Sequence, residues 1–358
     1  MTQIAATPFA SHALATAQIE LGLEAVVSEA RPAELPAHSR LGYELGWDFA
    51  HHGLTPPIDH LFQASPLLAG WQAGRATFGQ RTLKASRHVK QWLQLRTHAW
   101  SRGRQFETLL VTPNYLQQLE ASHCPILRCA LEEQGSIDRV RDDAGYAAGN
   151  LVQMSATANA AKASHDHASA DEMARSLALG PIQQVAGLDP LQWQRIAVLC
   201  SFVTPLSHEQ AAQIPLKVLP PNRLRMFNPI QALQALVTRQ LATPGWSQRL
   251  ARLEALLPGE ALKADFNRFV LALVPRVLKV EALLQPHEIR WALEDAWADA
   301  LVMKRWTRFA LALTAEQAEA LVQRAAAKKL APVHVQTHGE QAATEGWALS
   351  RRGYRAAS

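Results

Sequence analysis

Asp138, Asn159 and Lys162 are the residues of this 358-residue chain whose types and spacing first point to chemistry. A carboxylate and an amide oxygen are hard ligands, suited to Mg2+ or Mn2+. A divalent ion held between Asp138 and Asn159 would stabilise charge on a scissile phosphate. Lys162 follows Asn159 by three residues, on the same side of any helix that carries both, and its ammonium would meet a phosphate oxygen. Asn150 can close a loop by bonding backbone groups.

These residues need elements to hold them, and the run SIDRVRDDAGYAAGNLVQMSATANAAK, Ser136 to Lys162, supplies them in order. Ser136–Arg141 reads as a short strand. Asp142-Asp143-Ala144-Gly145 has turn chemistry, with Gly145 free to take positive φ. Asn150–Met154 reads as the returning strand. Ser155 is a helix N-cap, and the Ala-rich residues 156–163 favour helix.

The spaced positions Asp138-Arg139-Val140, Gly145-Tyr146, Gly149-Asn150, Met154-Ser155, Asn159 and Lys162 follow an opening Cys124-Pro125-Ile126 step. Together they resemble the HNH endonuclease superfamily, the His-Me finger nucleases, over residues 123–162. The resemblance implies a ββα unit in which Asp138 and Asn159 bind the metal and Asn150 braces the loop. Arg139 stands where that family carries its general-base histidine. Arginine stays protonated and cannot take a proton from water, but it can contact a phosphate. Cleavage would then need another base, and His123, His165 and His167 lie nearby in sequence.

A second feature precedes this unit. From Arg75 to Phe106 there is no Asp or Glu, while Arg75, Arg81, Lys84, Arg87, Lys90, Arg96, Arg102 and Arg104 all fall there. The whole chain carries only +5, so the positive charge is local. Val89, Trp92, Leu93 and Leu95 predict a helix with an apolar side. Arg81, Lys84, Arg87 and Lys90, three residues apart, would share one flank of it and follow a phosphate backbone.

Upstream, Gly42-Tyr43-Glu44-Leu45-Gly46 and Gly70-Trp71-Gln72-Ala73-Gly74 are similar pentapeptides. Paired glycines around an aromatic let two helices approach closely, which predicts a helical hairpin. With Pro56-Pro57 between the halves and Arg75 at the end, residues 41–75 weakly resemble ribosome modulation factor, which implies an RNA target.

The three cysteines, Cys124, Cys129 and Cys200, do not build a disulfide framework, and no structural zinc is expected from Cys124 and Cys129. Ile196–Ser207 is free of charge and His but falls short of the ~20 apolar residues a membrane span needs. With no basic start in the first thirty residues, the chain reads as cytoplasmic.

The fold expected is mainly α, a multi-helix protein with a small ββα insert. The divisions read from composition are an N-terminal helix (around Thr16–Ala30) and linker over 1–38, a Gly/Trp hairpin and basic helix over 39–106, the ββα domain over 107–168, an α-helical domain over 169–335 and a polar tail over 336–358. In the helical part, Ile230, Leu233, Leu236, Val237 and Leu241 form one apolar stripe and Trp246, Leu250, Leu253 and Leu257 another. Pro229, Pro244, Pro258, Pro275 and Pro286 punctuate them. The leading expectation is a DNA- or RNA-binding protein with metal-dependent phosphodiester hydrolysis; the alternative is a non-enzymatic RNA- or ribosome-associated factor. A third reading places the function in the C-terminal helices.

Overall fold

Glycine decides how the chain enters its fold. The computed structural model describes residues 36–131, 135–278, 285–330 and 340–356; the N-terminal helix read around Thr16–Ala30 lies outside them. Helices α1 (Ala37–His51) and α2 (Pro66–Phe78) form the expected hairpin. They touch backbone to backbone at the paired glycines: a Cβ on Gly46 would stand 2.0 Å from the Leu67 carbonyl oxygen, and one on Gly70 1.9 Å from that of Tyr43. Trp71 fills the groove and its indole N–H donates to the Leu54 carbonyl at 2.9 Å.

The basic helix α3 (Arg87–Ser101) starts later than its charge spacing implies. Ser86 caps it, its hydroxyl accepting from Val89 N at 3.2 Å. Arg81 and Lys84 therefore sit in the connection ahead of the helix, and only Arg87 and Lys90 share a helical flank. The apolar side of α3 faces two ways. Val89, Leu93 and Trp100 pack on Leu45, Phe49 and Leu67 of the hairpin. Leu95 and Ala99 pack on α4 (Pro113–Leu119) and on Tyr146, Ala148 and Leu151.

The ββα order follows. Strands β1 (Ser136–Arg139) and β2 (Leu151–Met154) are antiparallel, with Asp138 opposite Val152 and Arg139 opposite Leu151. Ser155 caps α5 (Ala156–Lys162), accepting from Ala158 N at 3.2 Å. β2 is wholly buried, and its Val152 and Met154 share one buried cluster with the helices that follow.

That core is built by α6 (His167–Leu179), α7 (Pro190–Ser201), α8 (His208–Ala212), α9 (Pro229–Gln240), α10 (Trp246–Glu254), α11 (Glu260–Leu278), α12 (Pro286–Asp295), α13 (Ala300–Leu311) and α14 (Ala315–Ala327). Ile126, Val140, Val152, Met154 and Ala158 belong to one buried cluster with Trp193, Leu233, Phe269, Trp297 and Trp306. Pro229 and Pro286 open α9 and α12, where their missing N–H costs nothing, and Pro275 lies inside α11. No helix among the described residues is long and apolar enough to cross a membrane.

The described residues of the polar end, 340–356, pack against the rest of the protein. After α15 (Glu340–Ala343), Trp347 is fully buried and its indole N–H donates to the Ala148 carbonyl at 3.0 Å. Arg355 donates to the Trp100 carbonyl at 2.7 Å, and Tyr354 pairs with Arg104 as an antiparallel bridge. Charge content alone predicts a tail; one tryptophan and backbone pairing dock it.

Candidate functional site

The loop between β1 and β2 is the point where the elements converge. Asn150 is completely buried at its end. Its side-chain oxygen accepts from Arg141 N at 2.8 Å, and its amide donates to the carbonyls of Arg141 and Gly145 at 3.1 and 3.2 Å. Three bonds from one side chain hold both ends of the loop, the role its position in the sequence implies. Gly145 does not take positive φ; Gly149 does, at 87°. Gly145 is needed for space instead, because a Cβ there would meet the Gln105 carbonyl oxygen at 2.8 Å.

Partners far away in sequence complete the loop. Glu107 accepts from Ala148 N at 2.8 Å and the Tyr115 hydroxyl accepts from Gly149 N at 2.8 Å. Burial raises the Glu107 carboxyl and pushes the Tyr115 hydroxyl up to about 12. Gly145 N donates to the Trp347 carbonyl at 2.7 Å. Nothing local in the sequence marks Glu107, Tyr115 or Trp347 as loop partners.

Arg139 turns inward. Its guanidinium donates to the Asp142 and Ala144 carbonyls at 2.7 Å each and to the Asp142 carboxylate at 2.5 Å, over the Tyr146 ring. All of these are protein partners; the side chain organises the turn. Lys162, expected on a phosphate, is also internal. It is wholly buried, with Nζ 3.0 Å from Asp138 Oδ2 and donating to the Arg139 carbonyl at 2.9 Å. Burial pushes the Asp138 carboxyl above its ordinary value, an effect the Lys162 charge only partly offsets. Burial alone would lower the Lys162 ammonium, but Asp138 beside it holds it above its ordinary value. Cys200 adjoins the pair, and burial pushes its thiol up to about 12.

Asn159 sits one turn before Lys162 and meets the same strand face. Its amide donates to the Ser136 hydroxyl at 2.7 Å. The spacing is therefore used: residues three apart on α5 reach residues two apart on β1. What it builds is a polar seam between helix and strand. A divalent ion at Asp138 would have to displace the Lys162 ammonium, and no group of three His, Cys, Asp or Glu side chains capable of holding a metal occurs among the described residues. The donor set does not fit Mg2+ or Mn2+ as it stands. The three nearby histidines have partners of their own: His123 stacks on His287 with centroids 3.9 Å apart, His165 approaches Ser169 Oγ at 3.3 Å, and His167 approaches the Ala197 carbonyl at 2.9 Å.

The eight cations of the basic segment divide into two groups. Arg96 is buried, pairs with Asp48 and lies 4.3 Å over the Trp92 ring. Arg104 donates to the Arg352 carbonyl at 2.8 Å and stacks on Tyr354. These two are structural. Arg75, Arg81, Lys84, Arg87, Lys90 and Arg102 are exposed. Arg87 pairs with Glu120 at 3.4 Å; the other five make no ion pair among the described residues.

One side chain that the charge pattern does not single out joins them. His98 lies on α3 one turn before Arg102, exposed and facing the same side. Burial, then the charges of Arg102 and Arg139, hold its imidazole below the ordinary value, so it is neutral at pH 7. The end of α3 thus reaches the β1–β2 loop. Arg104 and Arg139 both bind Asp142 there. Comparison with protein-family models, curated proteins and solved structures returns no match for this chain.

Proposed function

We propose that this protein binds nucleic acid, DNA or RNA, through the exposed cations of α2, α3 and the connection between them, with the ββα unit acting as the rigid mount for α3. One observation carries the reading: five cations within an acid-free segment keep their charge uncompensated by any ion pair among the described residues, while two others are built into the fold and Arg87 pairs with Glu120 at the surface. Uncompensated positive charge along one element raises local affinity for a phosphate backbone and releases its counterions. The likeness of residues 123–162 to the HNH superfamily and of residues 41–75 to ribosome modulation factor supports a nucleic-acid target. Hydrolysis at Asp138 and Asn159 would require Lys162 to leave its buried pair, so binding is the activity assigned.

Charge reversal tests it. In Arg81→Glu combined with Lys84→Glu, both in the connection ahead of α3, affinity for fluorescein-labelled DNA and RNA is expected to fall for all sequences alike. The slope of log K against log salt should flatten by about 0.7–0.9 for each phosphate no longer neutralised. An unchanged affinity and slope in fluorescence anisotropy would reject the reading. The nuclease assay on the same probes, with Mg2+, Mn2+ and chelator arms, separates binding from cleavage.

A further inference from the structure

A groove of about 580 Å3 runs along the exposed side of α3, in the size range of ligand sites. Its floor is apolar, made by Phe49, Leu54 and Pro57. Its rim is a ladder of donors on α3 and its C-cap: Lys90, Gln94, His98 and Arg102, at steps of four along the helix. None of these four side chains hydrogen-bonds to protein among the described residues. No Asp or Glu among the described residues lines the groove. The far rim carries His60, whose ring stands edge-on to Trp100 at 5.5 Å.

An acid-free groove with an apolar floor and unspent donors along one edge complements a particular ligand shape: a flat apolar ring system joined to an anion. We infer that this groove holds unpaired nucleotides of a single strand, each base laid on Leu54 and Pro57 and the phosphates tracking Lys90, Gln94 and Arg102. Duplex phosphates would meet the cations but leave the apolar floor unused, because paired bases are stacked out of reach. Contact of a base face with an apolar surface tolerates any sequence, because every base has such a face. His98, uncharged at neutral pH, offers one donor and one acceptor to a base edge or a ribose hydroxyl. The inference rests on the nucleic-acid reading and adds to it the strandedness and the site.

The test compares two charges, one inside the groove and one outside. Gln94→Glu puts a carboxylate at the centre of the ladder without changing side-chain size; Gln94 is exposed, so the fold has no stake in it. Arg81→Glu changes the charge outside the groove. The probes are a labelled twelve-residue oligothymidylate and a duplex of equal length, with full-length protein checked by its melting curve. The expected result is a preference for the single strand in the parent protein; in Gln94→Glu both affinities fall, since both probes meet the cations, and the single strand loses about tenfold more than the duplex. Arg81→Glu should weaken both probes alike. If Gln94→Glu weakens both probes equally, or neither, the groove assignment is overturned while the wider surface reading stands. If the parent protein binds neither probe, both are overturned.

Discussion

Asp138→Ala is expected to lower the unfolding free energy by about 3–5 kcal/mol, because it leaves the Lys162 ammonium buried without a counter-charge. Lys162 has no exposed surface and only the Arg139 carbonyl would remain beside it. Lys162→Met should cost less, on the order of 1–2 kcal/mol. The carboxyl it leaves behind is already pushed up by burial even with Lys162 beside it, and becomes neutral by taking a proton; Lys162 without Asp138 would have to give up a proton from an ordinary value that lies well above pH 7. Exchanging both at once, Asp138→Val with Lys162→Met, should be close to neutral, since no buried charge is then left. Urea titrations of the three variants decide it. Equal costs for the two single exchanges would show that the seam is held by packing alone.

The same pair sets a pH trend. The folded-state value of Asp138 is raised, so the folded protein binds that proton more tightly than the unfolded chain does. Its contribution to stability therefore falls as pH rises out of the ordinary carboxylate range. Lys162 is raised as well, so its contribution is complete below the unfolded lysine value and is lost above it. Both act in one direction, toward weaker folding on the alkaline side.

The second large effect lies in the hairpin. Gly70→Ala and Gly46→Ala are each expected to cost about 3 kcal/mol. The methyl would be driven against the Tyr43 carbonyl oxygen at 1.9 Å or the Leu67 carbonyl oxygen at 2.0 Å. Neither obstacle is a flexible side-chain end, so α1 and α2 must part along their length. Gly245→Ala is the control. Gly245 is left-handed, with φ 78° and ψ 12°, and its Cβ would meet only the end of the Arg249 side chain at 3.3 Å, so backbone strain of about 1–2 kcal/mol applies without backbone crowding. Thermal unfolding of the three variants separates crowding from conformation. If Gly245→Ala proved costlier than Gly70→Ala, close helix approach would not be what the paired glycines secure. Phe49 and Leu54 stand on and beside α1, so parting the hairpin should also blunt binding in the α3 groove.

What can be read from the sequence is local. Ser155 as a cap, Asn150 as a brace, the glycine pairs as a close contact and Pro229 and Pro286 as helix starts each depend on neighbours a few residues away. Where the partner is remote, the sequence misleads. Arg96 and Arg104 count as surface charge because Asp48 and Arg352 are not their sequence neighbours. Lys162 looks like a phosphate ligand because nothing in its own helix shows that β1 and α7 bury it. Gly145 has the right residue type for a different reason, since Gln105, which crowds it, belongs to another element. The polar ending hides Trp347 among small and charged residues.

The docking of that ending ties residues far apart along the chain. Arg104 reaches Arg352, 248 positions away, and Trp347 reaches Ala148, 199 positions away. Contacts at such separation must overcome the entropy of closing a very long loop before they return any stabilisation. During synthesis the β1–β2 loop is made early, yet its Gly145 amide has no partner until residue 347 has left the ribosome. The order of assembly is thus opposite to the order of translation at this place: the β1–β2 loop gains its last backbone partner only when almost the whole described chain is present.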